Sequence, residues 1–310
     1  MAGHNEATEF EARLAEAANQ TEGLLERLLS SALLPGEMFR PPRLIEAMRY
    51  ACLGGGKRLR PFLTLETARL LGTTGEGVLR AAAAVEMIHC YSLVHDDLPA
   101  LDNDDLRRGL PTTHKAFDEA TAILAGDSLL TYAFDVTADP ATHPDAEVRA
   151  TLVLALARAA GLGGMIGGQI LDLEAETSAA PHDAPTVIKI QSMKTGALLH
   201  HAVEAGAILA KAEAPARNAL LSFGRAIGAA FQVADDILDV ESDEQSLGKR
   251  AGKDASRNKA TLVAALGLNK ARDERDRLVE TAIAALDSFP KGQTALILKE
   301  AARFVARRKH

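Results

Sequence analysis

Apolar residues recur along nearly the whole chain at the three- and four-residue spacing of α-helices. This spacing predicts helices over about 6–33, 42–53, 61–71, 77–97, 117–138, 146–160, 184–210, 214–241, 258–286 and 293–306. Breaks rich in proline and glycine separate them, such as Pro35-Gly36 and Phe289-Pro290. No alternating run bounded by turn residues indicates a strand, and no break is long enough for an interdomain linker. The pattern predicts one all-α domain over 1–310.

The composition supports a helical protein, since the apolar content of 47% is mostly Ala and Leu and the aromatic content is only 4%. The formal charge of −7 argues against a nucleic-acid-binding surface. Cys52 and Cys90 are too few for a disulfide framework and lack metal-ligand spacing, which favours a reduced, cytoplasmic compartment. The polar N-terminus does not resemble a signal peptide, and no uninterrupted apolar stretch of about 18 residues predicts a membrane span.

Two acidic clusters follow long apolar helical runs. Carboxylates are costly beside apolar surface unless a cation neutralises them, so we expect two walls of one metal site. Oxygen ligands of this kind suit Mg²⁺, which binds through a few carboxylates together with substrate phosphates. The pattern therefore predicts a metal-dependent enzyme acting on a phosphorylated or diphosphorylated substrate; the alternative is a pair of solvated helix ends. The candidate ligands are Asp96, Asp97, Asp102, Asp235, Asp236 and Asp239.

The spacing within each cluster predicts its local geometry. Asp235 and Asp239 are four residues apart and project from one helical face. Pro99 disfavours helical geometry at Leu98, so the first helix should end near that residue. We therefore expect Asp102 to lie on a loop that folds back toward Asp96.

Basic residues supply the complementary charge. The loop Gly54-Gly55-Gly56 is followed directly by Lys57, Arg58 and, two residues later, Arg60. Glycines allow close approach of a phosphate, and arginine can bind one through two hydrogen bonds. Arg107-Arg108 follow the first acidic cluster, where surface ion pairs are the alternative. The signals at Lys194-Thr195-Gly196 and Gly248-Lys249-Arg250 are weak individually.

Three other sequence patterns do not support the sites that they partly match. Glu86-x-x-His89 is half of a di-iron bundle motif without its second half. The stretch 161–166 departs from the dinucleotide-binding fingerprint at its last glycine. A metal-dependent phosphohydrolase built on His95-Asp96 would leave the second acidic cluster and the basic residues without a role.

Taken together, these residues resemble the short-chain trans-prenyl (polyprenyl) diphosphate synthases, most closely the bacterial farnesyl diphosphate synthases. The resemblance spans nearly the whole chain. It rests on the segments GGGKRLRP, YSLVHDDLPALDNDDLRRG, ILAGD, KTGAL, FQVADDILD and LGKRAGKD in this order.

The resemblance implies an all-α bundle around a deep central cavity, a homodimer, and Mg²⁺ with Mn²⁺ as an alternative metal. It implies that the six aspartates hold metal ions that bridge to an allylic diphosphate. The allylic diphosphate would be bound by Arg107, Lys194, Lys249 and Lys259, with Thr195 and Gln232 facing the allylic cation. The diphosphate of isopentenyl diphosphate would be bound by Lys57, Arg60, His89 and Arg108. From the residues alone, His89 is better interpreted as a helix residue with local hydrogen bonds.

The activity implied is condensation of isopentenyl diphosphate with dimethylallyl or geranyl diphosphate through an allylic carbocation, giving trans farnesyl diphosphate. Geranylgeranyl and geranyl diphosphate synthases are the alternatives within the family, and a non-catalytic subunit of a heteromeric synthase is the alternative outside catalysis. Tyr91 and Ser92, five and four positions before Asp96, are expected to set product length.

The chain departs from the family pattern at one place. The family often has Ser/Ala-Thr-Tyr-Pro where this chain has Ala260-Thr261-Leu262-Val263, and we assign no role to that stretch. The end of the chain, residues 307–310, resembles the family's basic terminus, with a solvated tail as the alternative.

Overall fold

Helices make up almost all of the regular structure. The computed structural model describes residues 2–178, 180–246 and 260–307, excluding the side chains of residues 2–6 and 242–246. The helices are α1 (Ala2–Leu28), α2 (Pro42–Leu53), α3 (Leu59–Leu70), α4 (Glu76–Asp96), α5 (Thr113–Ala116), α6 (Glu119–Ala138), α7 (Ala146–Ala160), α8 (Met165–Glu176), α9 (Ala184–Gln191), α10 (Ala197–Leu209), α11 (Ala214–Ser246), α12 (Leu262–Leu266), α13 (Leu268–Ala285) and α14 (Gln293–Arg307). A π-helical segment, Ser192–Gly196, joins α9 to α10.

Short polar side chains begin several of these helices. Asp118, Asp145, Asp183 and Thr261 each accept a hydrogen bond from a backbone N–H in the first turn of α6, α7, α9 and α12. These bonds satisfy donors that the helix itself leaves unpaired. Pro42 occupies the first turn of α2, where its missing N–H costs nothing.

Helices α4 and α10 form the centre of the bundle. Helix α4 packs against α3 and α6, and α10 lies against α3 and α11. Close approach depends on a small residue, because a Cβ at Gly206 would lie 2.7 Å from the backbone oxygen of Thr64. The hydroxyl of Thr64 donates to the carbonyl of Ala202 at 2.9 Å, which fixes α3 against α10.

The chain turns sharply after α4. The amide of Asp102 donates to the carbonyl of Asp96 at 2.8 Å, so the loop folds back as the sequence predicts. A small antiparallel hairpin follows, with β1 (Leu106–Arg107) paired to β2 (Leu110–Pro111). Its two central residues, Arg108 and Gly109, both have positive φ, which matches the twist of a two-residue hairpin turn.

The all-α prediction is confirmed, and the hairpin is the only sheet among the described residues. The sequence pattern missed α8 altogether. It also joined 258–286 into one helix, whereas Gly267, with φ of 84°, separates α12 from α13. The single domain over 1–310 stays a prediction.

Two segments in the described part of the chain are long and apolar enough to cross a membrane by length and composition. In Glu76–Asp96, which is α4 at the centre of the bundle, 67% of the most apolar window is buried within the protein. In Ala146–Glu176, which contains both α7 and α8, the buried share is 33%. Such segments are weak evidence for a membrane span, since the core helix of a bundle has the same composition.

Candidate active site

The first acidic cluster is held by an arginine from the hairpin. Asp97 is buried, and its Oδ1 accepts hydrogen bonds from Nε and Nη2 of Arg107 at 2.8 and 2.6 Å. Burial raises the pKa of Asp97, and the bond from Arg107 acts in the opposite direction. Asp97 therefore has a protein partner for at least one of its oxygens.

Asp96, at the last position of α4, lies in a different environment. Burial raises its pKa to about 6, the charge of Lys194 opposes this rise, and the charge of Asp102 adds to it. The backbone hydrogen bond from Asp102 holds that residue beside Asp96, and Lys194 is close enough for its charge to act on Asp96. A half-buried carboxylate with a raised pKa is one that a bound cation would stabilise.

The π-helical segment carries Lys194 and Thr195 into this region. Single π turns inside α-helices are frequently found at functional sites, because they shift the register of the following side chains. The Nζ of Lys194 donates to Oδ2 of Asp172 on α8 at 2.6 Å. Sequence reasoning missed Asp172, which nothing in the local pattern distinguishes from the acidic residues Glu174 and Glu176 that follow it.

In the second cluster, Asp235 is half-buried, Asp239 is exposed, and Asp236 is buried. The Oδ2 of Asp236 accepts from Nε2 of Gln191 at 2.7 Å and from the backbone N–H of Leu262 at 2.6 Å. Burial raises its pKa to about 6, and these bonds, with one from Gln232, act against the rise. Through these hydrogen bonds, Asp236 connects α11 to the end of α9 and to the start of α12.

Two of these partners were not predicted. Nothing in the local pattern distinguishes Gln191 from other polar helix residues. The sequence predicts no role for residues 260–263, yet the backbone N–H of Leu262 holds this stretch beside the second cluster, and Thr261 caps the helix that begins there.

The six aspartates do not form a ready-made metal centre. Among the described residues, no group of three His, Cys, Asp or Glu side chains is close enough to hold an ion. Helix α9 and the π-helical segment that follows it connect the two clusters, since Gln191, the last residue of α9, binds Asp236 and the charge of Lys194 acts on Asp96. The assignment of all six as metal ligands stays a prediction.

A separate cavity of about 360 Å³ contains the basic residues. Lys57, Arg60, His89 and Arg108, predicted to bind one diphosphate, all line it. The structure therefore brings together side chains from three separate parts of the sequence, since only Lys57 and Arg60 are near neighbours in the chain.

Arg58 does not share the orientation of its neighbours. It has φ of 48°, and its guanidinium points into the protein interior. There it donates to Glu86 at 2.6 Å and to Glu22 at 3.1 Å. Its charge is neutralised by two carboxylates, so it anchors the loop and leaves Lys57 and Arg60 to the cavity.

The cavity holds more positive charge than its neighbours neutralise. The pKa of His89 is well below its usual value because of burial and then because of Arg60 and Arg108. Burial lowers the pKa of Arg60, whose buried Nε has no hydrogen-bond partner in the part of the chain that the structure describes. A bound anion would relieve both conditions.

The glycine loop is shaped around Arg108. Gly56 has φ of 132°, and a Cβ there would lie 2.6 Å from Nη1 of Arg108. The same Nη1 donates to the carbonyl of Gly55. The backbone conformation therefore favours glycine, and a side chain at this position would displace the guanidinium of Arg108 from its present place.

Tyr91 lies five residues before Asp96 on α4 and is buried. Its ring packs edge-on against His95 with centroids 5.8 Å apart, and its hydroxyl has no hydrogen-bond partner among the described residues. Burial and the charge of Asp96 raise its pKa to about 12. Ser92 instead donates to the carbonyl of His89 at 2.8 Å. Their role in product length stays a prediction.

The predicted contributions of Lys249, Lys259 and residues 308–310 lie outside the described residues. Arg307, the last residue described, is exposed, and its Nη1 lies 3.5 Å from Oε1 of Glu300.

The polyprenyl synthetase family model matches residues 41–294, a range that contains both acidic clusters and the basic cavity loop. The chain belongs to the polyprenyl synthetase family. Relatives in this family include a farnesyl diphosphate synthase from Escherichia coli, 46% identical over 88% of this chain and 90% of its own length. A chloroplastic geranylgeranyl pyrophosphate synthase from Capsicum annuum is 43% identical over 87% of this chain and 73% of its own length.

A solved structure extends the similarity to the fold. The apo crystal structure of an FPP/GFPP synthase from Zymomonas mobilis superposes with a TM-score of 0.85 at 43% identity, covering 97% of this chain and 99% of its own. The family resemblance drawn from the sequence is confirmed, and relatives in this family are prenyltransferases that make prenyl diphosphates.

Proposed function

We propose that this protein is a farnesyl diphosphate synthase that condenses isopentenyl diphosphate with dimethylallyl or geranyl diphosphate. The observation that carries the proposal is the pairing of two unlike anion sites. One is the cavity around His89, rich in cations and lined by no aspartate of either cluster. The other is the acidic region around Asp96 and Lys194, where an anion requires a metal ion. Two diphosphate substrates need two such sites.

Enzymes of this family generally depend on divalent metal ions. We propose Mg²⁺, with Mn²⁺ as an alternative, because the donors are carboxylate oxygens and Asp96 has a raised pKa. Asp97 and Asp236 already accept protein hydrogen bonds. We propose that the six aspartates of the two clusters supply the ligands, and that the bonds to Asp97 and Asp236 also hold those two carboxylates in place. The metal would neutralise charge that develops on the departing allylic diphosphate.

The protein's own residues bind and orient the substrates. Lys194, set by Asp172, and Arg107, set by Asp97, would bind the allylic diphosphate. Lys57, Arg60 and Arg108 would hold isopentenyl diphosphate so that its double bond faces the allylic carbon. Fixing both partners removes most of the entropic barrier to their reaction.

The new carbon–carbon bond forms between the allylic carbon and isopentenyl diphosphate. Loss of a proton then gives the trans double bond, and the departing diphosphate accepts that proton, so no side chain is required as a general base. A closed site would exclude water, which would otherwise react with the allylic cation.

We propose farnesyl diphosphate as the product because the ring of Tyr91 is buried five residues before Asp96 on α4, where it would limit the length of the growing chain. Geranylgeranyl diphosphate is the alternative, since relatives with that product are similar to this chain over most of its length.

The direct test is incubation of the purified protein with Mg²⁺, dimethylallyl diphosphate and labelled isopentenyl diphosphate, followed by chain-length analysis. We expect a C15 product, and none with the Asp96→Ala variant or with a chelator. A C20 product would overturn the farnesyl assignment, and no condensation at all would overturn the proposed activity.

We also propose that the protein is a homodimer in the cytoplasm. Exposed aliphatic side chains recur at four-residue spacing at Leu162, Ile166 and Ile170, and Leu154 on α7 and Leu124 on α6 are exposed as well. Exposed aliphatic side chains in this number favour an interface, and a second copy is the partner we propose. Light scattering should give twice the chain mass, and Ile170→Glu should give monomers; a wild-type monomer would contradict this assembly.

A further inference from the structure

Phe304, on the C-terminal helix α14, lines the basic cavity although no sequence pattern singled it out. The ammonium group of Lys57 lies 5.5 Å from the centroid of its ring. This distance is within the range over which a cation is attracted to the face of an aromatic ring.

The ring of Phe304 is fixed by aromatic neighbours. Its centroid is 5.0 Å from that of Phe10 on α1, which is buried, and Phe10 contacts Phe62 on α3 edge-on at 5.4 Å. Three helices therefore hold the ring in place. Because the ring is partly buried and packs against the core, it offers Lys57 a rigid surface.

A rigid surface would reduce the freedom that Lys57 loses on binding an anion. Lys57 is exposed and follows three glycines, so both its backbone and its four-carbon side chain lose freedom when an anion binds. A carboxylate would hold the ammonium group but would also neutralise it. An aromatic ring holds it and leaves its charge available to a diphosphate.

We propose that Phe304 is a positioning residue of the isopentenyl diphosphate site, which presets Lys57 for the incoming diphosphate. The inference rests on the proposed function of this cavity. It predicts that Phe304 governs affinity for isopentenyl diphosphate and leaves the allylic substrate unaffected.

The test compares Phe304→Leu, which keeps apolar volume, with Phe304→Tyr, which keeps an aromatic face. We expect the KM for isopentenyl diphosphate to rise about 2- to 30-fold in Phe304→Leu and to stay within about twofold of wild type in Phe304→Tyr. The KM for the allylic substrate and kcat should stay within about twofold in both. Phe289→Leu, a loss of aromatic packing away from the cavity, is the matched control and should change neither KM.

A double-mutant cycle separates positioning from packing. With Lys57→Met as background, Phe304→Leu should have no further effect on the KM for isopentenyl diphosphate. An equal effect in both backgrounds, or a Phe304→Tyr variant as impaired as Phe304→Leu, would overturn the inference. If Lys57→Met itself leaves this KM unchanged, the assignment of the cavity fails, and the inference fails with it. If Lys57→Met raises it and Phe304→Leu does not, only the role of Phe304 is refuted.

Discussion

Replacing Gly168 by alanine should damage the allylic site from a distance. Gly168 lies on α8, where an added Cβ would be 2.1 Å from the backbone nitrogen of Lys194 and 2.6 Å from its Cα. These are backbone atoms, so no side-chain rotation relieves the overlap. Ordinary contacts between such atoms are about 3.5 Å, and α8 must therefore separate from the π-helical segment by more than about 1 Å.

That separation would break the ion pair between Asp172 and Lys194. The pair joins the same two elements and has a length of 2.6 Å, so a shift of this size takes it beyond hydrogen-bond distance. Overpacking of this kind costs about 1–3 kcal/mol of stability. Misplacement of a substrate-binding group by about 1 Å can cost about 100-fold in rate. We expect Gly168→Ala to lower kcat/KM for the allylic substrate by about that factor.

The assay is steady-state kinetics with each substrate varied in turn, together with circular dichroism. The matched control is Gly163→Ala in the turn before α8, where an added Cβ has no atom within 4 Å. The control should retain wild-type rates, and the KM of Gly168→Ala for isopentenyl diphosphate should be unchanged. A folded Gly168→Ala variant with wild-type allylic kinetics would refute the reasoning.

Three further predictions concern other positions. Gln191→Leu removes a hydrogen-bond donor to a buried carboxylate, so we expect urea unfolding to show a loss of about 1–3 kcal/mol in the free energy of unfolding. We also expect a metal titration to show a higher Mg²⁺ requirement for activity, and an unchanged requirement would contradict the link between the two clusters. Burial lowers the folded-state pKa of His201 to about 4, so the unfolded chain binds a proton first as the pH falls below about 6.5, and stability is lost from there toward pH 4. Between pH 7.5 and 5 the free energy of unfolding of wild type should therefore fall by about 2 kcal/mol more than that of His201→Leu. Unfolding free energies from urea that change equally with pH in the two proteins would contradict this titration. Tyr91→Ala should shift the product from C15 toward C20 or longer in chain-length analysis, whereas an active variant that still makes C15 would show that another residue limits the chain.

Local sequence signals predicted the parts of the site that depend on neighbours in the chain. The effect of Pro99 on the preceding residue led to the end of α4 and to the return of Asp102, and both are confirmed. The helical spacing of Asp235 and Asp239 placed both on α11.

The remaining features depend on contacts between distant segments. Asp236 is 45 residues from Gln191 and 26 from Leu262, and no local pattern encodes those bonds. Helix α8 was missed because its glycines weaken helical propensity, whereas in the structure Gly168 allows α8 to contact the π-helical segment. Arg58 points into the interior and Arg60 lines the cavity, and the positive φ of Arg58 accompanies this difference. The basic composition of the loop does not predict it.

The central claim is that two different diphosphates bind at two different places, and the most direct test is the KM for each substrate in Arg60→Met and Lys194→Met. Loss of a hydrogen bond to a charged group costs about 1.5–3 kcal/mol, or about 10- to 150-fold in affinity. We predict that Arg60→Met raises the KM for isopentenyl diphosphate by such a factor and leaves the allylic KM near wild type. Lys194→Met should show the reverse pattern. The same change in both Michaelis constants for both variants would contradict the account.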